Sequence, residues 1–390
     1  MQIRKLWPLT LITVLLLTGV LAPNTISWSS SLSKNATIYS HGTIAYGTLP
    51  LHVDGRWIKD SLNETVILYG VNKGQWVDYP TGCWMETGSS GAGCESFTSQ
   101  KVIDNLDYMK EWGCNVIRLH TTMDWWIDDY QNYRSNIKTA IELANKRGIY
   151  VIFEPAHVRN YQDGGGIGDS PLPWTGPWTE YCGSISDFVD YWRSVVDELR
   201  NYPNVIYELW NEPRPGTNST IEDWYDGWQQ CIDMIRYEKE DNHIILIQWY
   251  YGQDGSSNGN LEWVLDYPFN YTNLAYSTHV YRSNGAFNPG MKFEYDDVKA
   301  MCIERNVKRI GEEWNRPLVI GEVGAFGDSY EEQAAFENFL IIMNEWNIGY
   351  VAWLWRSSTV YALLTPGTPF PCPPSPSGQT LIDAIAAVVT

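Results

Sequence analysis

Basic residues are scarce in this chain: 27 Lys and Arg face 46 Asp and Glu, a formal net charge of −19. That deficit opposes binding to a nucleic-acid backbone, so no nucleic-acid partner is expected. No Cys-x-x-Cys occurs among the seven cysteines, which leaves a structural zinc site without support. No Gly-x-Gly-x-x-Gly follows the first strand-like segment, Val66 to Asn72, and this weighs against a dinucleotide fold. The apolar run from Leu6 to Leu21 is short for a membrane span and contains Pro8.

Aromatic residues, by contrast, are abundant, with 20 Trp and 25 Tyr in 390 residues. Some must be core bulk, yet flat aromatic faces also stack on the apolar faces of sugar rings. A neutral or cationic partner fits the charge balance better than an anionic one.

Arg4 and Lys5, the apolar run and the Ser/Thr-rich sequence beyond Ala22 form the three-part layout of a secretory signal. Residues 1–22 are therefore expected to be a signal peptide cleaved near Ala22, with a retained anchor on the cell surface as the alternative. A secreted, monomeric protein is expected, touching a membrane only if that segment stays uncleaved. Sequons at Asn35, Asn63, Asn218 and Asn270 agree with export. Residues 23–50 read as a tether or N-terminal wrap, and residues 51–390 as one folded domain. Cys83 and Cys94 flank a Gly/Ser-rich loop and are the expected disulfide pair, whereas Cys114 sits in an apolar strand as a buried thiol.

His52 to Ile58 reads as a preliminary strand. A series of eight follows: Val66–Asn72, Asn115–His120, Tyr150–Glu154, Asn204–Leu209, His243–Ile247, Ala275–His279, Pro317–Glu322 and Tyr350–Trp355. Amphipathic helices are expected between them at Gln100–Trp112, Asn136–Arg147, Ile185–Leu199, Ile221–Glu240, Asp296–Trp314 and Tyr330–Trp346. A weaker one lies at Asn260–Leu265, and a last one at Leu381–Val389. In the clearest, Ile185, Phe188, Val189, Trp192, Val195, Val196 and Leu199 share one face, and Ser184 with Asp187 resembles a capping box. Alternating strands and helices imply parallel strands with right-handed crossovers, and eight units point to a closed (β/α)8 TIM barrel with long aromatic-rich βα loops.

In such a barrel the C-terminal ends of the strands meet around one rim. There the sequence places Asn72, Arg118, His120, His157, Asn211, Glu212, His279, Tyr281, Glu322, Trp353 and Trp355. Glu212 and Glu322, ending the fourth and seventh strands, face each other across the mouth. Two facing carboxylates suit glycosidic cleavage: one protonates the leaving oxygen while the other attacks the anomeric carbon or activates water. Glu208 shares strand parity with Glu212, so it also points inward and needs a buried partner. Arg118 could serve Glu208 or Glu322.

Asn211-Glu212-Pro213 after the fourth strand, Glu322 within Ile320-Gly-Glu-Val-Gly324, and His279-x-Tyr281 resemble the retaining glycoside hydrolases of family 5 over about Val66 to Trp355. That resemblance implies Glu212 as acid/base and Glu322 as nucleophile. It also implies Arg118 holding the nucleophile ionised, Asn211 on the sugar 2-hydroxyl, Tyr281 bonded to the nucleophile with His279 beside it, and Trp353 as a platform under the sugar. The family's third-strand histidine follows an acidic-aromatic pair directly, whereas Glu154-Pro155-Ala156 precedes His157 here. Trp353 and Trp355 share parity, so the strand pattern does not choose between them.

Trp76, Tyr79, Trp84, Trp125, Trp126, Trp174, Trp178, Trp249 and Tyr250 crowd the loops after the strands. About half are expected to pack loops onto the barrel, and the others, with Trp76, to line a cleft for several sugars. These features imply an endo-β-1,4-glucanase acting on a polysaccharide without metal or cofactor, with Arg118, His120, His157, Asn211, His279, Tyr281, Trp353 and Trp76 binding substrate. The segment Asp163–Asp169 reads as a loop rather than a calcium ligand set. A β-mannanase or exo-β-glucosidase, or a carbohydrate-binding barrel without catalysis, are the alternatives.

Overall fold

A computed structural model describes residues 36–38, 44–73, 97–129, 132–157, 170–175, 182–214, 220–248, 260–282, 293–355, 361–365 and 370–389. The expectations for the signal segment, the Cys83–Cys94 pair, the Asp163 loop, Trp76, Tyr79, Trp84, Trp178, Trp249 and Tyr250 lie outside these residues.

Eight parallel strands close into a barrel in sequential order. They are β1 (Tyr69–Lys73), β2 (Val116–Thr122), β3 (Tyr150–His157), β4 (Val205–Glu208), β5 (Ile245–Gln248), β6 (Leu274–Tyr281), β7 (Leu318–Gly324) and β8 (Gly349–Ala352). Each matches one of the eight apolar segments, so the chain is a (β/α)8 barrel.

The helices are α1 (Ser99–Glu111), α2 (Met123–Asp128), α3 (Tyr133–Asn145), α4 (Ile185–Leu199), α5 (Ile221–Asp233), α6 (Trp263–Asp266), α7 (Tyr295–Glu304), α8 (Val307–Glu312), α9 (Tyr330–Trp346) and α10 (Pro376–Val389). In α4, Tyr191 is buried with Phe188, Val189, Trp192, Val195, Val196 and Leu199, while Ile185 is only partly buried at the first turn. Removing each of these large side chains from water contributes about 1.5–3 kcal/mol. Ser184 caps the helix by accepting from the Asp187 backbone N–H at 3.2 Å.

Three local readings change. His52–Ile58 is not one strand but parts of two, Leu51–Asp54 and Trp57–Asp60, paired antiparallel around a turn in which Gly55 takes φ +58°. The expected helix Asp296–Trp314 breaks into α7 and α8 at Asn306, whose φ of 64° leaves the helical region. The helix from Ile221 passes into a π-helical turn at Met234–Glu238.

Alternation along the strands sorts the core. Ile117, Leu119, Val151 and Phe153 point outward into the layer shared with the helices. Val116, Ile152, Ile206, Leu246 and Val319 point inward as an apolar layer near the barrel's N-terminal end, where Ile58, Leu51 and Val53 of the hairpin pack beneath them. Two residues further along, the same parity puts Arg118, Glu154 and Glu208 inside the barrel, all wholly buried. The interior is thus apolar at its base and charged toward the rim.

Candidate active site

Arg118 is the hub of the charged layer. Its Nε donates to Glu208 Oε2 at 2.6 Å, Nη1 to Glu322 Oε1 at 2.8 Å and to Asn72 Oδ1 at 3.0 Å, and Nη2 to Asn211 Oδ1 at 2.9 Å. The planar guanidinium therefore serves both carboxylates that the sequence left competing for it. Burial works against its charge, but Glu208, Glu154 and Glu322 outweigh burial and raise its pKa above the usual arginine value. Asn72 is held in turn by donating from Nδ2 to the backbone carbonyls of Gly321 and Val351.

Glu322 is buried, with Oε2 accepting from Tyr281 Oη at 2.7 Å. Burial and then the Glu322 charge push the Tyr281 phenol well above its ordinary pKa, so it remains a donor. Across the β6–β7 pairing Glu322 stands opposite His279, just past a register shift between Thr278 and His279. Gly321 makes room for that ring: a Cβ there would lie 2.5 Å from Ser277 Oγ and 3.1 Å from His279 Nε2.

Glu212 sits just beyond β4 and is the more exposed carboxylate, at 15% of its side chain against 7% for Glu322. Its backbone takes φ +41°, in the left-handed region that costs a non-glycine residue about 1–3 kcal/mol. Its backbone N–H donates to Gln248 Oε1 at 2.7 Å, and its Oε1 lies 2.8 Å from His279 Nδ1. Gln248 Nε2 faces His279 Nε2 at 2.7 Å. An amide nitrogen only donates, so His279 accepts at Nε2 and carries its proton on Nδ1, toward Glu212 and Glu322 Oε2 (3.4 Å).

Both ring nitrogens of His120 face protein groups: Nδ1 lies 2.8 Å from Glu154 Oε2, and Nε2 lies 3.1 Å from Arg118 Nη1 and 3.2 Å from Asn72 Oδ1. Burial, then the Arg118 charge, push its pKa down to about 3. His120 thus belongs to the buried network beneath the rim. The backbone of His157 ends β3. Trp353 follows β8, half-buried and edge-on to His120 with centroids 4.9 Å apart. Trp355 is only 1% exposed, donates from its indole to Asn105 Oδ1 at 2.7 Å and packs on Trp112. Since β8 ends at Ala352, strand parity does not govern either ring.

One oxygen each of Glu212 and Glu322 and one His279 nitrogen lie within 4.8 Å of one another. Metal-type ligands thus converge here, but Arg118 and Tyr281 already take both oxygens of Glu322. A buried guanidinium 2.8 Å away also repels a cation. The set is built to hold carboxylates and move protons. Two facing acids, one held by Arg118 and Tyr281 and the other partly exposed, can act chemically as a nucleophile and a proton donor.

Residues 73–359 match the family model for cellulase (glycosyl hydrolase family 5). The chain belongs to glycosyl hydrolase family 5. Among curated relatives it is 25% identical to an endoglucanase of Clostridium saccharobutylicum over 269 residues, 68% of this chain and 52% of that protein. It is 25% identical to endoglucanase A of Evansella cellulosilytica over 285 residues, 72% of this chain and 51% of that protein. The chain spans about half the length of these curated relatives. Among solved structures, a β-glucanase of Saccharophagus degradans in complex with cellotetraose superposes with TM-score 0.64 at 20% identity, covering 87% of this chain and 94% of that one. The catalytic domain of Thermobifida fusca endoglucanase Cel5A gives TM-score 0.59 at 18% identity, covering 86% and 97%.

Gln248 and Glu154 complete this family 5 site beyond the rim residues singled out from sequence, and Asn72 is one of those rim residues. Gln248 could have been found by the same rule as the others, as the polar residue ending the apolar run His243–Ile247.

Proposed function

We propose that this family 5 protein is an endo-acting β-1,4-glucanase that cleaves by double displacement with retention of configuration. The observation that carries this reading is the spacing of the two acids. Oxygens of Glu212 and Glu322 within 4.8 Å of each other suit the about 5–5.5 Å of retaining enzymes and leave too little room for the about 6.5–9.5 Å of inverting ones.

In the first step Glu322 attacks the anomeric carbon while Glu212 gives its proton to the leaving oxygen, breaking the glycosidic bond and forming a glycosyl ester on Glu322. In the second, Glu212 takes a proton from water, the hydroxyl bonds to the same carbon, and Glu322 leaves as carboxylate. Arg118 and Tyr281 stabilise Glu322 in the ionised form that begins and ends this cycle. His279 Nδ1–H lies between both acids and can hold the Glu212 carboxylate once its proton has gone.

Relatives named endoglucanases and a structural neighbour solved with cellotetraose support a β-1,4-glucan as polymer. Hydrolysis of soluble cellulose, mannan and short cello-oligosaccharides, with product anomers followed by NMR, tests the reading. Internal cuts in soluble cellulose that release the β-anomer are expected, and none in Glu322→Gln. Faster cleavage of mannan, release of single glucose units, or binding without turnover would each overturn it. We read residues 1–22 as a cleaved export signal, supported by the Arg4-Lys5 start and the exposed sequon positions Asn63 and Asn270. N-terminal sequencing of the expressed protein tests this.

A further inference from the structure

Glu154 is a buried carboxyl that double displacement leaves without a part. It stands opposite His120 in the β2–β3 pairing and is wholly buried. Its Oε2 lies 2.8 Å from His120 Nδ1 and 3.6 Å from Arg118 Nη2. Neither of its carboxyl oxygens has a hydrogen-bond partner among the described residues. A buried carboxylate with neither oxygen hydrogen-bonded is costly to keep ionised, and a proton removes that charge.

His120 links this carboxyl to the hub. The ring lies between the two, with Nδ1 2.8 Å from Glu154 Oε2 and Nε2 3.1 Å from Arg118 Nη1. The same Nη1 donates to Glu322. One guanidinium thus faces Glu208 at 2.6 Å, Glu322 at 2.8 Å and Glu154 at 3.6 Å. When Glu154 is neutral the Arg118 charge divides between two carboxylates, and when it is ionised, among three.

We propose that Glu154 is a positioning residue whose change from acid to carboxylate, felt through Arg118 and His120, tunes the nucleophilicity of Glu322. The inference rests on the reading of Glu322 as nucleophile. With Glu154 ionised, Glu322 is less completely neutralised, and the cationic anomeric centre of the transition state meets one more negative charge. Both effects speed attack.

The charged and titratable groups facing Glu154 are Arg118 and His120 on β2, Glu212 beyond β4, His279 on β6 and Tyr191 on α4, and Glu208 and Glu322 are joined to it through Arg118. Burial pushes the Glu154 pKa up to about 7, with Arg118 and His279 opposing and Glu212 adding to the rise. His120, down at about 3, does not take up that proton in the neutral range.

The test is the rate at which 2,4-dinitrophenyl 2-deoxy-2-fluoro-β-cellobioside traps Glu322, measured against pH in the full chain and in Glu154→Gln. This leaving group needs no acid, so the proton on Glu212 does not enter the rate. The native rate is expected to rise several-fold through about pH 7, and Glu154→Gln to stay flat at the lower level. A step that persists in Glu154→Gln, a flat native profile, or a uniform loss at every pH would overturn the proposal. Failure to trap any adduct on Glu322 would instead refute the retaining reading. Should Glu154→Gln not fold, infrared difference titration of Glu212→Gln decides. A buried carboxylic-acid band lost through about pH 7 supports the proposal, and its absence overturns it.

Discussion

Gln248 accepts the backbone N–H of Glu212 at 2.7 Å, and this contact fixes more than a loop. Because Oε1 is held by a donor, the amide nitrogen of Gln248 must turn toward His279 Nε2, which fixes the tautomer of that imidazole. The proton of His279 therefore points at the two acids. The same contact helps hold Glu212 at φ +41°, a conformation that a glutamate does not adopt without support.

Gln248→Leu keeps the side chain's bulk and removes both contacts. Expected is a fall in kcat/KM of about 10²-fold, in the range that misplacing a general acid costs. Because the proton on His279 is then free to move to Nε2, kcat should fall more than KM changes. Steady-state kinetics on soluble cellulose checks this. An unchanged kcat would show that His279 keeps its tautomer without Gln248.

Much of this was legible in the sequence, for a physical reason. The 2.0-residue alternation of strands acts on polar and apolar residues alike, so Glu208 had to point inward with Glu212 and needed a cation, which Arg118 supplies. What alternation cannot carry is geometry that departs from it. The register shift before His279, the end of β8 ahead of Trp353 and Trp355, and the left-handed turns at Glu212 and Asn306 break the period without a distinctive residue pattern. Gln248 was missed because the apolar run ended the expected strand one residue too soon. Glu154 was seen only as spacing before His157, since its burial depends on which strand lies opposite.

Arg118→Lys should be far from conservative. A lysine offers one compact charge and cannot meet Glu208, Glu322, Asn72 and Asn211 from three separate nitrogens. At least one buried carboxylate then loses its partner, a change that typically costs about 3–5 kcal/mol. The variant is expected to melt several degrees lower and to lose kcat/KM together. Calorimetry with parallel kinetics checks this, and a variant with native Tm and reduced activity would show that Arg118 serves catalysis alone.

The two tryptophans after β8 should separate cleanly. Trp355→Ala removes a wholly buried ring and its bond to Asn105, and is expected to cost about 3–5 kcal/mol of stability. Trp353→Ala removes a half-buried ring beside His120 and is expected to spare most of the stability while raising KM for cello-oligosaccharides. Denaturant melts and oligosaccharide kinetics on both variants check the assignment. A KM effect confined to Trp355→Ala would reverse it.

Glu154 also predicts how stability depends on pH. Its pKa rises from an ordinary 4.5 to about 7 in the fold. A folded carboxyl that holds its proton more tightly than the unfolded one favours folding while it stays protonated. Below about pH 4.5 both states carry the proton and Glu154 adds no slope. Between about 4.5 and 7 the unfolded chain has released its proton and the folded one has not, so stability falls as pH rises. Above about 7 the carboxylate is buried at full cost and the slope ends. Glu154→Gln lacks this contribution, so its Tm relative to native should climb through that window and then level off. Calorimetry at matched ionic strength reads the difference. A Tm difference that stays flat across that window would mean that Arg118 and His120 hold Glu154 as a carboxylate throughout.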